Sequence, residues 1–210
     1  MASRPILAGV VVILAVALGA YAALSLRKPA PALLDLQGMT VFSQPRPLPA
    51  LALQDDAGQA LGPGYFDGHW TLVFFGFTNC PDVCPTTLAT LAQAYRSLAD
   101  LPAEQRPRVL FISVDPERDD RERLGSYVDF FDPGFSAATG SPDAVAEAAA
   151  VFGVPYAKVP LPNGGYTMDH GSGIFVVGPD GLLGYASGPH EARQLAENYR
   201  RLLEFRGIKQ

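Results

Sequence analysis

The chain has 210 residues, of which 48% are hydrophobic and 18% are charged. This balance is typical of folded proteins and excludes a disordered or fibrous chain. The length allows one domain with a substantial core together with additional segments. The formal net charge is −5, and no stripe of lysine and arginine offers a phosphate-binding surface. The sequence therefore predicts no nucleic-acid partner.

Residues 5–26 form an uncharged, apolar segment. About twenty helical residues cross the hydrocarbon core of a membrane, so this segment is long enough for a transmembrane helix. The Ala-Tyr-Ala sequence at residues 20–22 has the form of a signal-peptidase site. However, the segment exceeds the ~7–15 apolar residues usual in signal peptides, and Arg27 and Lys28 follow it. We predict an N-terminal membrane anchor over residues 1–28, with a cleaved signal sequence as the alternative.

Residues 29–47 contain four prolines among small and polar residues. Such a composition favours extended, semi-rigid backbone. We predict that this segment is a linker that holds the following domain, residues 48–210, away from a membrane. Met39 is accordingly predicted to lie outside that domain.

Strand and helix patterns alternate through the predicted domain. Residues 71–77 and 108–114 are continuous apolar runs typical of buried strands. Residues 85–98, between them, place apolar side chains on one helical face. The later elements are two helices, a hairpin and a final helix, at residues 119–131, 142–152, 173–186 and 190–205. This order predicts an α/β, thioredoxin-like fold in which the first two buried strands are parallel.

Cys80 and Cys84 are the only cysteines of the chain, and they lie between a predicted strand and a predicted helix. This position is the carboxyl edge of the sheet, where α/β proteins tend to hold their functional sites. Pro85 suits the first helical position, which puts Cys84 near the helix N-cap. Because the positive end of a helix favours a thiolate, we predict a lowered pKa for Cys84.

The cysteine pair has three possible interpretations. A structural disulfide would close only a small loop, so it would constrain the unfolded chain weakly. A catalytic dithiol normally has two intervening residues, whereas three separate these cysteines. Thioredoxins also place a proline before the hairpin, and none occurs between Asn163 and Gly178. A site for a soft metal suits two thiolates but needs at least one further ligand.

His170 is the candidate for that further ligand. Glycines on its C-terminal side permit close backbone approach, and the neighbouring Asp169 carboxylate can orient an imidazole. In a thioredoxin-like fold this segment packs beside the cysteines, although the local pattern equally suits an ordinary turn histidine. His69 and His190 are predicted to be ordinary surface residues.

Four segments, in chain order, resemble the SCO/SenC family of copper-binding proteins involved in cytochrome c oxidase assembly. They are FFGFTNCPDVCPTTL, ISVDPERD, FGVPYAK and DHGSGIFVVGPDG, and the resemblance covers residues 48–206. It implies that Cys80, Cys84 and His170 bind copper as Cu(I) or Cu(II). The family usually has serine directly after this histidine, where the chain has Gly171. That difference affects a hydrogen bond of the loop next to His170, whereas the three ligand residues themselves match the family.

The resemblance also implies a function and a location. We expect a copper metallochaperone, rather than an enzyme with assigned catalytic residues, that assists maturation of the dinuclear copper centre of cytochrome c oxidase subunit II. Its expected partners are that subunit and other copper chaperones. The alternative is a membrane-tethered thiol-disulfide oxidoreductase that keeps partner cysteines reduced. In both cases we expect a bacterial inner-membrane protein with its soluble domain in the periplasm.

The anchor interpretation predicts that the mature protein keeps residues 1–26 and fractionates with membranes, because an uncleaved apolar helix stays in the bilayer. N-terminal sequencing and membrane fractionation test this. An Ala20→Leu, Ala22→Leu variant, which lacks the small side chains of the cleavage signal, should then have the same mature mass as the wild type, apart from the substitutions. A mature N-terminus at Ala23 would contradict the prediction.

Overall fold

The structure is a computed structural model that describes residues 36–62, 64–162 and 164–207. The predicted membrane anchor and the first part of the predicted linker lie outside these residues. Within the described ranges, no helix combines the length and the apolar character that crossing a membrane requires.

Nine strands and four helices are found in the described ranges. The strands are β1 (Met39–Arg46), β2 (Leu53–Asp55), β3 (Thr71–Gly76), β4 (Arg108–Ser113), β5 (Phe135–Gly140), β6 (Tyr156–Pro160), β7 (Tyr166–His170), β8 (Ile174–Gly178) and β9 (Gly181–Ala186). The helices are α1 (Val83–Ser97), α2 (Arg121–Asp129), α3 (Pro142–Phe152) and α4 (Ala192–Phe205). The predicted strands β3 and β4, the four helices and the β8–β9 hairpin are all confirmed.

Seven strands form one sheet, in the order β1-β9-β8-β3-β4-β5-β2. β3 pairs in parallel with β4, as predicted, and β4 pairs in parallel with β5. The other neighbours in this sheet are antiparallel. Every residue of the central strand β3 is buried, which explains its unbroken apolar run. β6 and β7 form a separate two-stranded sheet.

Helix α4 covers the start of the central strands through an apolar stripe at helical spacing. Tyr199, in this stripe, is fully buried, and its ring meets Trp70 edge to face, with ring centroids 5.7 Å apart. The Tyr199 hydroxyl donates a hydrogen bond to the Gln105 carbonyl oxygen at 2.6 Å. This contact satisfies the buried phenol and fixes α4 to the loop that precedes β4.

The segment predicted as a linker contributes the edge strand β1. Met39 and Val41 pair with β9, and the Met39 side chain is buried. The domain therefore begins before residue 48, and the prediction that Met39 lies outside it is wrong. Prolines are compatible with an edge strand, because one side of it needs no ladder hydrogen bonds. Pro45 lies where the register shifts between Val41 and Arg46.

Gly184 of β9 faces β1 so closely that a Cβ atom there would lie 2.1 Å from the Thr40 carbonyl oxygen. We expect Gly184→Ala to disturb the pairing of β1 with β9 and to lower the free energy of unfolding by about 1–3 kcal/mol. Denaturant unfolding measures this change. The control is Gly62→Ala, because a Cβ atom at Gly62 meets nothing within 4 Å. Equal stability of the two variants would contradict the expected clash.

Candidate metal centre

Cys80 and Cys84 lie in the turn that joins β3 to α1. The helix begins at Val83, two residues before Pro85, so Cys84 lies in its first turn. Asp82 at the N-cap makes no side-chain capping hydrogen bond. Instead, the Cys84 amide donates to the Cys80 sulfur at 3.4 Å. The Cys80 side chain thereby partners one of the backbone N–H groups that the first turn of a helix leaves unpaired.

Gly76, at the end of β3, leaves room for the Cys84 thiol. A Cβ atom at this position would lie 2.8 Å from the Cys84 sulfur and 2.6 Å from the Phe111 ring. Any larger residue would therefore displace the sulfur or the ring. Sequence analysis did not single out Gly76, although a glycine inside a buried strand is a signal of close approach by a neighbouring group.

His170 closes β7 and brings its imidazole to the cysteine pair. Its Nε2 atom lies 3.3 Å from the Cys84 sulfur, and its Nδ1 atom lies 3.0 Å from the Gly171 carbonyl oxygen. A carbonyl oxygen only accepts hydrogen bonds, so Nδ1 carries the proton of the neutral ring. Nε2 therefore directs its lone pair toward the sulfur. Phe74 and Phe77 meet the imidazole edge to face.

The structure thus brings together the three side chains that the sequence predicted as ligands. One donor atom from each of Cys80, Cys84 and His170 lies within 4.8 Å of the other two. Metal–sulfur and metal–nitrogen bonds of about 2.0–2.3 Å, as in zinc sites, separate three donors around one ion by roughly 3.5–4 Å. The cluster therefore has the dimensions and the donor types that a soft cation such as Cu(I) requires.

The lowered pKa predicted for Cys84 is not found. Burial raises the pKa of this thiol well above its usual range and outweighs the opposing backbone hydrogen bond from Phe77. The neighbouring Cys80 and Asp119 raise the pKa further. The positive end of the helix does not lower the pKa below its usual range, because the Cys84 side chain is 0% exposed and desolvation penalises the charged form. Without a cation beside it, Cys84 is a neutral thiol at pH 7.

The His170 imidazole is held neutral by the same exclusion of water. Burial lowers its pKa, whereas the Gly171 hydrogen bond and the Asp169 charge act in the opposite direction. The prediction that Asp169 orients the ring needs correction. Among the described residues, the exposed Asp169 carboxylate makes no hydrogen bond to His170, and the Gly171 carbonyl orients the imidazole instead. Asp169 contributes only a weaker electrostatic attraction.

A protein-family model described as SCO1/SenC matches residues 47–204, well over half of the chain. The chain belongs to the SCO1/SenC family. This finding confirms the resemblance carried by the cysteine and histidine segments. The family model begins at the C-terminal end of β1, so that strand extends the described domain beyond the matched region.

The human mitochondrial SCO2 homolog is 38% identical to this SCO1/SenC chain over 159 residues, which is 74% of this chain and 60% of the human protein. The crystal structure of Arabidopsis thaliana ScoI with copper bound has a TM-score of 0.70 at 28% identity, covering 76% of this chain and 99% of ScoI. Bradyrhizobium japonicum ScoI with copper bound has a TM-score of 0.65 at 33% identity, with coverages of 72% and 96%. These similarities support the predicted thioredoxin-like α/β fold.

The lowered pKa of His170 predicts a loss of stability in mild acid for this SCO1/SenC domain. In the unfolded chain a histidine has a pKa of about 6.5. The pKa of His170 in the folded protein is lower, so the unfolded state binds a proton more readily. The stabilising contribution is therefore complete above about pH 6.5 and is lost as the pH falls through the folded pKa. We expect the metal-free wild type to lose more unfolding free energy than His170→Gln between pH 7.5 and pH 5. Urea unfolding tests this, and parallel losses would contradict it.

Proposed function

We propose that this chain is a copper metallochaperone that carries one copper ion between Cys80, Cys84 and His170. The observation that carries the proposal is the convergence of two sulfur atoms and one imidazole nitrogen within 4.8 Å. Two solved relatives have copper bound. Thiolate and imidazole donors also favour copper or zinc over magnesium and calcium. Copper is the cargo of the protein in this proposal, so the site must release it as well as bind it.

The charge of this ligand set suits both oxidation states of copper. Two thiolates and one neutral imidazole sum to −2, so the loaded site carries −1 with Cu(I) and zero with Cu(II). Neither state concentrates a large net charge in a partly buried place, where an isolated charge is costly. One site can therefore accept copper in either state without a further charged ligand.

Loading of the site is coupled to proton release. Cysteine binds metals as the thiolate, whereas burial keeps Cys84 protonated when no cation is near. Copper therefore replaces the thiol proton of Cys84. Because Cys80 is the more exposed of the two, we infer that a partner thiolate reaches the ion from the Cys80 side and that Cys80 is the first ligand exchanged.

The proposed recipient is cytochrome c oxidase subunit II, whose dinuclear copper centre this protein would help to mature, with other copper chaperones as donors. The proposed setting is the periplasmic face of a bacterial inner membrane. Support for that setting comes from the apolar residues 5–26 and the basic residues that follow them. An anchor there would concentrate the copper-binding domain near a membrane-embedded recipient.

A thiol-disulfide oxidoreductase is the second candidate, and the proximity of two free thiols favours it. Cys80 would attack a partner disulfide, and Cys84 would then resolve the mixed disulfide. The partner would gain two electrons and leave as a dithiol, while the chain would become a Cys80–Cys84 disulfide that an external thiol reductant must reset. The raised pKa of Cys84 assigns the attacking role to the more exposed Cys80.

Substitution of His170 separates the two functions. His170→Ala should abolish the Cu(II)–thiolate absorption, because Cu(II) favours nitrogen donors, but weaken Cu(I) binding only partly, because two sulfur atoms still hold Cu(I). Disulfide reduction by the variant should be largely intact. A Cys80→Ser, Cys84→Ser double variant should bind no copper at this site. Metal analysis, visible absorption and a disulfide reduction assay on the full-length chain measure these effects.

The matched control is His190→Ala. The His190 imidazole is bonded through Nε2 to the Ser172 carbonyl oxygen at 2.8 Å and is not part of the sulfur cluster, so its removal should leave copper binding unchanged. Full copper occupancy in the double cysteine variant would contradict the proposed site. Normal oxidase levels in a His170→Ala strain, together with failure in a Cys84→Ser strain, would instead favour the oxidoreductase.

A further inference from the structure

The loop between β4 and α2, residues 114–120, contacts both segments that carry the candidate ligands. Asp119 of this 114–120 loop binds Thr78, in the turn that leads to Cys80. Asp115 and Arg118 of the same loop bind Tyr166, in the strand that ends at His170. We name these two sets of contacts the cysteine arm and the histidine arm.

In the cysteine arm, a fully buried carboxylate holds the turn after β3. Asp119 accepts hydrogen bonds from the Thr78 amide at 3.0 Å, from the Thr78 hydroxyl at 2.5 Å and from the Ser113 hydroxyl at 2.7 Å. Arg123 donates to the Thr78 hydroxyl at 2.7 Å and to the Asn79 side-chain oxygen at 2.6 Å. Because a buried carboxylate needs its donors, movement of the turn is costly: it would remove two of these three hydrogen bonds to Asp119 and leave only the one from Ser113.

In the histidine arm, the Arg118 guanidinium and the Asp115 carboxylate contact Tyr166, the first residue of β7. Arg118 lies over the Tyr166 ring, 3.8 Å from its centroid, and donates to the Tyr166 carbonyl oxygen at 3.0 Å. The Tyr166 hydroxyl donates to Asp115 at 2.9 Å, and Asp115 is paired with Arg118. Stacking, ion pairing and hydrogen bonding thus act on one side chain. His170 is the last residue of the same strand.

This second arm is needed because β6 and β7 do not belong to the large sheet. Backbone ladders hold the large sheet together, but side-chain contacts must place the small one. At its C-terminal end β7 continues through three residues into β8, which ties that end to the large sheet. At its N-terminal end the contacts of Tyr166 with Arg118 and Asp115 hold the strand, and its partner β6 is joined to α3 through residues 153–155. The histidine arm is therefore one of the contacts that set the direction of β7 and the position of His170.

We propose that the 114–120 loop sets the distance between the two halves of the ligand cluster, with Asp119 and Arg118 as positioning residues. The inference rests on the proposed copper site for its functional meaning, but the mechanical link is independent of the metal. Loosening the histidine arm displaces only the imidazole, so it should weaken Cu(II) far more than Cu(I). Loosening the cysteine arm displaces a sulfur ligand, so it should weaken both ions.

The histidine arm is tested with Arg118→Met in the full-length chain purified in detergent. Methionine keeps the length of the side chain but removes its charge and its donors. Residues that orient metal ligands typically change metal affinity by about tenfold or more, so we expect a Cu(II) affinity at least about tenfold weaker, a shifted Cu(II)–thiolate band and a much smaller change for Cu(I). Arg206→Met is the matched control, because Arg206 also pairs with an aspartate, Asp180, and neither residue belongs to the cluster or to either arm.

The cysteine arm is tested with Thr78→Val, which keeps the shape of the side chain but removes the hydroxyl that Asp119 binds. We expect Cu(I) and Cu(II) affinities to fall together. Thr71→Val is the matched control, because the Thr71 hydroxyl is buried in β3 without a hydrogen-bond partner among the described residues. Its removal should leave both affinities unchanged.

Amide hydrogen exchange of the metal-free chain gives a readout that does not depend on copper. Arg118→Met should speed amide exchange several-fold in β6 and β7 but not in the turn after β3. Thr78→Val should speed it in that turn but not in β6 and β7. Tyr166→Phe keeps the ring but removes the hydroxyl that donates to Asp115 and Glu117. It should show the Arg118→Met pattern more weakly, and it replaces Arg118→Met in the test if that variant does not fold. Unchanged local exchange, or equal losses of Cu(I) and Cu(II) in Arg118→Met, would overturn the positioning role. If the variants show the expected exchange pattern but the wild type binds no copper, only the copper proposal is overturned.

Discussion

The 3.3 Å approach of the His170 imidazole to the Cys84 sulfur is the contact on which the rest of the site depends. It joins the end of a small two-stranded sheet to the first turn of the helix that follows the central strand. The contact forms only because Gly76 leaves space for the sulfur and because two phenylalanine rings pack against the imidazole. The candidate metal centre is therefore a product of core packing at the edge of the sheet, in which Cys84 is buried and both Cys80 and His170 are partly exposed.

Exclusion of water shifts the pKa values of both side chains in this contact. It raises the pKa of Cys84 and lowers that of His170, so both of these side chains favour their neutral forms when no metal is bound. A soft cation makes the thiolate form of cysteine the favoured one, because metal–thiolate bonds replace S–H bonds when the ion binds. The same burial makes Cys84 a poor attacking nucleophile. In the proposed disulfide exchange, the attacking role therefore falls to the more exposed Cys80.

Several elements were predictable because their signals are local. The apolar runs of β3 and β4 indicate strands buried on both faces, and the helical stripe of α4 indicates its packed face. β1 was missed because prolines and extended backbone describe an edge strand as well as a linker. β5 was also missed, because only Phe135 and Thr139 of its six residues have the aromatic or β-branched side chains that identify strands. Its parallel pairing with β4 makes it a strand.

The sequence by itself determined the donor atoms of this protein, two thiols four residues apart and a later imidazole, because residue type decides ligand softness in any fold. It also determined which segments could be buried, through their hydrophobic periodicity. Only the tertiary structure decided that these donors meet, that Gly171 rather than Asp169 orients the imidazole, and that Cys84 has a raised pKa. Distance, hydrogen-bond partner and desolvation depend on neighbours from distant parts of the chain, as with Cys84 and His170, which are 86 positions apart. No local pattern specifies them.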